Sequence, residues 1–345
     1  MAIVQIRLDR YERIRLATAG TDRIVGMLFQ PAPEADPNLS TWPGVERRLA
    51  GLAPRMGVLV ATLGPDGCRV DHAITPEAPQ PIGSLFKIYV LGGLLAKIQA
   101  GEAAWSDLVT IREALKSLPS GTLQNEPEGT ELGADFVARK MIQISDNTAT
   151  DHLIDFVGRE RIEQHQAAMG HSRPALNLPF FSTRDLFVMK LVAGDEEKAA
   201  YLAADVPARR TILATNAARP LPPLELVTQA WTRPRDIATL EWFASPLDVC
   251  RAFDWLRTKG QEPDGQTALT ALSLNPGLPV DQGSFRYIGY KGGSEPGVLA
   301  LGWLLQRRAD DAWRVVVLLF ADPDQPLVES PLLYHALATV QLAGR

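Results

Sequence analysis

The run IGSLFKIYVLGGLLAKIQ, residues 82–99, decides how the rest of the chain is read. Ile88, Leu91, Leu94, Leu95 and Ile98 recur at spacings of three and four, so the run predicts a helix that begins near Gly83-Ser84. Ser84 and Lys87 then share one face, with hydroxyl and amine in reach of each other. A serine hydroxyl is a weak nucleophile at neutral pH, and a lysine can activate it once its surroundings depress the amine pKa. Ile82, Leu85, Phe86 and Ile88 flank the Lys87 stem, an odd setting for a solvated lysine. At a helix N-terminus the N–H of Ser84 is also free to donate to a developing oxyanion. Taken alone, the pair proves little, because Ser and Lys meet at this spacing on many surface helices.

Two more elements follow in chain order. Ser145-Asp146-Asn147 breaks a run of good helix formers with residues that prefer to hydrogen-bond their own backbone. It reads either as a helix cap or as a tight turn presenting a hydroxyl and a carboxamide to a cleft. Lys291-Gly292-Gly293-Ser294 follows the strand-like FRYIGY, and its two glycines either bend a hairpin or let a substrate lie against bare backbone.

In this order the three elements resemble the S-x-x-K, S-D-N and K-T-G set of class A β-lactamases and penicillin-binding proteins. The resemblance to that serine β-lactamase superfamily spans roughly Trp42 to Arg345. It is narrower still towards the β-lactamase-like proteins of the clavulanic acid cluster and related actinobacterial lipoproteins. Those carry a small N-terminal domain of the cone-shaped, steroid-isomerase-like type, whose final strand RIVGMLFQP resembles. The resemblance implies that Ser84 is acylated, Lys87 takes its proton, and Ser145 passes a proton towards the leaving nitrogen. It further implies that Asn147 holds the substrate's amide side chain and that Lys291 supplies positive charge for a substrate carboxylate. Gly293 and Ser294 line the substrate strand, and the N–H groups of Ser84 and Ser294 form the oxyanion hole.

Two departures stand out. Gly292 replaces the motif's threonine and its hydroxyl, for which Ser294 is a candidate substitute. The segment LNLPFFSTRDLF, residues 176–187, lacks the glutamate with which class A enzymes deacylate. Its one carboxylate, Asp185, fits a helix N-terminal acid better than a base. The expected activity is therefore a serine hydrolase acting slowly on β-lactams or related amides and esters. The alternatives are a sensor or scavenger acylated without turnover, an esterase or D-amino-peptidase, and a partner-binding protein with a degenerate site.

Around these motifs the pattern predicts an α+β fold, a three-layer αβα sandwich. Gly57 to Leu63 and the segment after the Gly64-Pro65-Asp66-Gly67 turn read as a hairpin following a helix, GVERRLAGLA. Late strands FRYIGYKGG, GVLALGWLLQRR and WRVVVLLFAD, then a helix LLYHALATVQL, imply one antiparallel sheet built from both chain ends. Between them lies a helical subdomain, about 84–255, in which Leu132 to Gly170 predicts two helices. Ser245 caps a further helix with Pro246 at its first position. Residues 194–242, rich in proline turns, read as an inserted lid or flank. Ile3 to Leu8 and Arg23 to Phe29 read as strands of a separate segment, 1–41, ahead of a hydrolase domain over 42–345. That segment is either a hairpin on the main domain or the remnant of a lost one.

A net charge of -5 argues against nucleic-acid or anionic-membrane partners and favours a small-molecule substrate. No apolar run approaches the ~18 residues of a membrane span, and the first residues do not read as a secretory signal. As written the chain reads as soluble and cytoplasmic, or as periplasmic or extracellular if its start is truncated. Neither the five histidines nor the carboxylates show metal-ligand spacing, so no metal or cofactor is expected. Cys68 and Cys250 have no C-x-x-C spacing and read as plain core residues, with no disulfide framework.

Overall fold

The computed structural model describes residues 12–19 and 23–345. The expected strand at Ile3 to Leu8 lies outside them. The chain begins with strands β1 (Glu12–Ala19) and β2 (Arg23–Pro31) and helix α1 (Trp42–Leu49). Strands β3 (Arg55–Gly64), β4 (Gly67–Ile74) and the short β5 (Gln80–Pro81) lead into α2 (Lys87–Gln99). Next come β6 (Leu108–Thr110), β7 (Glu131–Gly133), α3 (Ala134–Gln143), α4 (Asn147–Val157) and α5 (Arg159–Ala168). After α6 (Thr183–Leu191), the expected flank over 194–242 carries α7 (Asp195–Ala203), α8 (Val206–Asn216) and α9 (Leu224–Ala230), and β8 (Phe243–Ala244) follows it. Helices α10 (Pro246–Gly260) and α11 (Gln266–Ser273) precede β9 (Phe285–Glu295), β10 (Val298–Arg307), β11 (Trp313–Ala321) and α12 (Glu329–Ala343).

Two compact units result. One comprises residues up to Leu52 together with Leu278–Asp281 and Val328–Arg345, and contains the antiparallel β1–β2 hairpin, α1 and α12. The other, Ala53–Gly277 with Gln282–Leu327, holds every residue of the candidate site.

In the larger unit the sheet order is β4-β3-β11-β10-β9, antiparallel throughout, so early and late strands meet at the β3–β11 pair as the sequence pattern requires. The fold is α+β. β10 and β11 are buried along nearly their whole length, which is why VLALGWLL and VVVLLF show continuous apolar runs rather than alternation. α10 packs on β3 and β11, and its start follows the expected device: Ser245 Oγ accepts from Asp248 N while the Asp248 side chain accepts from Ser245 N.

Three readings need correction. The helix expected through Ser145 is two helices, α3 and α4, because Ser145 adopts φ 57° and Asp146 restarts the chain as an N-cap. Its Oδ1 accepts from Ala149 N at 2.8 Å. The helix expected from Ile82 begins as one tighter 3-10 turn, Gly83–Phe86, before α2 proper. A 3-10 turn eclipses residues i and i+3, so Ser84 and Lys87 still share a face. Cys68 and Cys250 are joined in a disulfide between β4 and α10. Their separation of 182 residues leaves no local trace from which pairing could be read.

Candidate active site

Ser84 sits on the 3-10 turn between buried Ile82, Gly83, Leu85 and Phe86. The turn is pinned from two sides. Ile82 N donates to Trp242 O at 2.9 Å, and the Phe86 ring stacks on Trp242 with centroids 3.7 Å apart. On the other side β9 passes so close that a Cβ at Gly293 would lie 2.4 Å from Ser84 N and from Ile82 O. A Cβ on Gly83, whose φ is +44°, would lie 3.2 Å from Ser294 N. Glycine at both positions therefore lets the two backbones touch, bringing the nitrogens of Ser84 and Ser294 into one neighbourhood, as the expected oxyanion pair requires.

Lys87 is fully buried at the first position of α2. Its Nζ donates to Ser145 O at 2.6 Å, Ser145 Oγ at 3.1 Å and Asn147 Oδ1 at 2.6 Å. From β9, Lys291 Nζ donates to the same Ser145 Oγ at 3.0 Å and to Gly292 O at 2.6 Å. One hydroxyl thus bridges two buried amines. Burial lowers the Lys87 pKa well below its usual value, and the neighbouring Lys291 charge lowers it further. Burial brings Lys291 down to about 7. A neutral amine is what a base needs, and here it exists near neutral pH.

The left-handed backbone of Ser145 is held by its surroundings. Its carbonyl accepts from Ser120 Oγ at 2.8 Å as well as from Lys87, and Asp146 Oδ2 accepts from Thr122 N and Leu123 N at 2.6 and 2.9 Å. Asn147 Nδ2 donates to Leu118 O at 3.0 Å, which leaves one amide hydrogen for a ligand. All seven expected residues lie in one region: Lys87, Ser145, Asn147 and Lys291 joined by the hydrogen bonds above, and Ser84 on the turn against which Gly293 and Ser294 pack. A cleft of about 310 Å³ is lined by Ser84, Asn147, Ser294, Phe187 of α6 and, from the flanking segment, Trp231 and Glu241.

Sequence reasoning missed several residues. A Cβ at Gly292 would fall 2.0 Å from the Tyr290 hydroxyl, so that hydroxyl occupies the space a threonine would need. This explains the glycine, and the signal was the Tyr two positions upstream on the same strand face. Buried Lys190 donates through Nζ to Glu295 Oε1 and lies 3.8 Å from Glu241 Oε1, a cluster with no motif to announce it. Asp185 does what its position implied. It completes a capping box with Ser182 at the start of α6 and pairs with Arg159 at 2.8 Å.

The chain belongs to the β-lactamase enzyme family, whose model matches residues 48–237, more than half its length. Membership makes it an enzyme of the serine-hydrolase type. Among solved structures it is similar to a β-lactamase from Sphaerobacter thermophilus DSM 20745, with 20% identity and a TM-score of 0.60, covering 88% of this chain and 96% of that one. It is similar to PBP-A at 18% identity and a TM-score of 0.57, covering 88% and 95%. A mutant of PBP-A, described as an acyl-enzyme complex with penicillin G, matches at 16% identity and 0.57, covering 87% and 96%. These likenesses carry the fold. Comparison with curated proteins finds no match by sequence.

Proposed function

We propose that this chain is a serine hydrolase that forms an acyl-enzyme on Ser84 with a β-lactam or a related amide or ester, and releases it slowly. The observation that carries the reading is the Lys87–Ser145–Lys291 bridge beside the Ser84 turn. Neutral Lys87 takes the Ser84 proton as Oγ bonds to the carbonyl carbon. The carbonyl π pair moves to oxygen, which accepts from the N–H groups of Ser84 and Ser294. Collapse re-forms the carbonyl and breaks the C–N or C–O bond, and the leaving atom takes the Ser145 proton, which a protonated lysine replaces. Lys291 and the Ser294 hydroxyl provide the chemistry to hold a substrate carboxylate, and Asn147 the donor for its amide.

Slow release is supported by Asp185, the carboxylate of segment 176–187, being consumed in a cap and an ion pair. The same fact favours the second reading, a sensor or scavenger that stays acylated. Kinship with the clavulanic-acid-cluster proteins, and a division between a 1–41 remnant and a 42–345 hydrolase domain, belong to this proposal. The strand β2 over RIVGMLFQP supports it. The Cys68–Cys250 disulfide supports residence in an oxidising compartment, periplasmic or extracellular. Among the described residues no helix is long and apolar enough to cross a membrane.

Intact-protein mass spectrometry of wild type and Ser84→Ala with a chromogenic cephalosporin tests the reading. An adduct on wild type alone, with product exceeding one equivalent, is the expected result. A lasting adduct with a single-equivalent burst selects the sensor. Esters and peptides that likewise leave no adduct on Ser84 would overturn both.

A further inference from the structure

Along β9, side chains alternate between faces, so Lys291, Gly293 and Glu295 share one face in an unbroken register against β10. Gly293 is the residue that abuts Ser84. At ~3.3 Å per residue, Lys291 and Glu295 lie about 13 Å apart on opposite sides of the nucleophile. The strand that carries the substrate is therefore polar along its length, cationic on one side of Ser84 and acidic on the other.

The acidic side holds more carboxylate than it can balance. Glu241, Glu295 and Lys190 are clustered with almost no exposed side-chain surface, two acids to one amine. Asp236, whose charge also acts on Glu295, is already paired with Lys198 at 2.8 Å. Glu241 Oε2 accepts from Trp242 N at 3.1 Å, whereas Oε1 is buried without a hydrogen-bond partner. Burial pushes Glu241 up to about 8, with Lys190 pulling against it, Glu295 adding to it, and the N–H groups of Trp242 and Gly83 offsetting part of the rise. Phe187 and Trp231, ring centroids 6.0 Å apart, line the same cleft, and the Trp231 ring already faces the Lys190 ammonium at 5.8 Å. The Trp231 Nε1 is likewise buried and unpartnered. An excess buried carboxylate is relieved either by a proton or by an arriving cation, and aromatic faces beside it favour the cation.

We propose that this end of the cleft selects acyl donors whose acyl half carries a protonated amine, the ammonium donating to Glu241 Oε1 beside Glu295. The preferred substrate is then a zwitterion, its carboxylate towards Lys291 and its ammonium towards Glu241. This inference rests on the acyl-enzyme reading of Ser84.

The test uses three penicillins that differ only in the side chain: phenylacetyl, α-aminophenylacetyl and 4-(aminomethyl)phenylacetyl. Ser84 adduct formation is timed by mass spectrometry on wild type, Glu241→Gln and Glu295→Gln. The expected result is that at least one amino penicillin acylates wild type about tenfold faster than the phenylacetyl compound, a ~1.4 kcal/mol preference. That ratio, internal to each protein, should fall to within about twofold in at least one variant. Equal rates for all three compounds on wild type would overturn the proposal while leaving the Ser84 reading intact, and this outcome does not depend on how well a variant folds. A preference that survives in both variants would also overturn it. No adduct from any compound would bring down the Ser84 reading together with the proposal.

Discussion

Two buried charge clusters flank Ser84, and they are near mirror images. At one, the amines of Lys87 and Lys291 share the hydroxyl of Ser145; at the other, the carboxylates of Glu241 and Glu295 share the ammonium of Lys190. Burial penalises the charged form in both, so it drives the shifts in opposite directions, Lys291 down to about 7 and Glu241 up to about 8. Raising the pH through this region discharges a cation in one cluster and charges an acid in the other. The first cluster is suited to moving protons, because its members are joined through a hydroxyl that both donates and accepts. The second lacks such a relay and presents an unsatisfied acceptor, which suits recognition.

The comparison breaks if the two clusters prove interchangeable in their effects. The largest expected effect is from Lys87→Met, which removes the base and should slow acylation of Ser84 by about 10²–10⁴-fold, measured as the rate of adduct formation. A change of that size from Glu241→Gln with a neutral donor would erase the distinction between proton relay and recognition.

A control on the fold comes next. Replacing Cys68 and Cys250 together by serine should lower stability by ~2–4 kcal/mol in a denaturant titration. Neither cysteine lines the cleft, so the acylation rate of the still-folded protein should hold. Loss of acylation before unfolding would tie the cleft to the β4–α10 link.

Gly293→Ala inserts a methyl against the fixed backbone of the Ser84 turn and should cost ~1–3 kcal/mol of stability as well as acylation rate. Gly292→Ala presses on the end of the Tyr290 side chain rather than on the backbone of the Ser84 turn, and should cost less. Thermal melts of the two variants, read side by side with their acylation rates, check the order.

The smallest effect is the most diagnostic. On the proposed mechanism Lys87 is a base only when neutral, so acylation should rise with pH through its lowered pKa. Lys291 helps to lower that pKa by like-charge repulsion. Lys291→Gln removes the repulsion, raises the Lys87 pKa and should move the rising limb of the pH–rate profile to higher pH. A limb that stays in place would mean that the Lys291 charge does not act on Lys87.

The legible part of this site was the part built from neighbours in sequence. Ser84 and Lys87 share a face in a 3-10 turn as in an α-helix, so mistaking the turn type did no harm. The Ser145-Asp146-Asn147 run was visible as a break among helix formers, although the left-handed residue that splits α3 from α4 was not, since serine carries no marker for φ > 0. α11 gave too short a signal to be read between the proline-containing turns around it. Tyr290 filling the space above Gly292 follows from strand alternation and could have been found by the same rule that located the strand.

By itself the sequence determined β2, the five strands of the main sheet, the helices α1, α2, α10 and α12, the sheet closed from both chain ends, and the identity of the residues bearing hydroxyls and amines, while β1 and the short strands β5 to β8 went unread. Each of these follows from local periodicity or from a motif only a few residues long. Tertiary structure decided the rest. It brought Lys190 to Glu241 and Glu295 across 51 and 105 residues, joined Cys68 to Cys250, and set Lys291 on the hydroxyl that Lys87 already held. Burial then shifted the charges of these groups, and burial is a property of the packed chain that no short window of sequence contains.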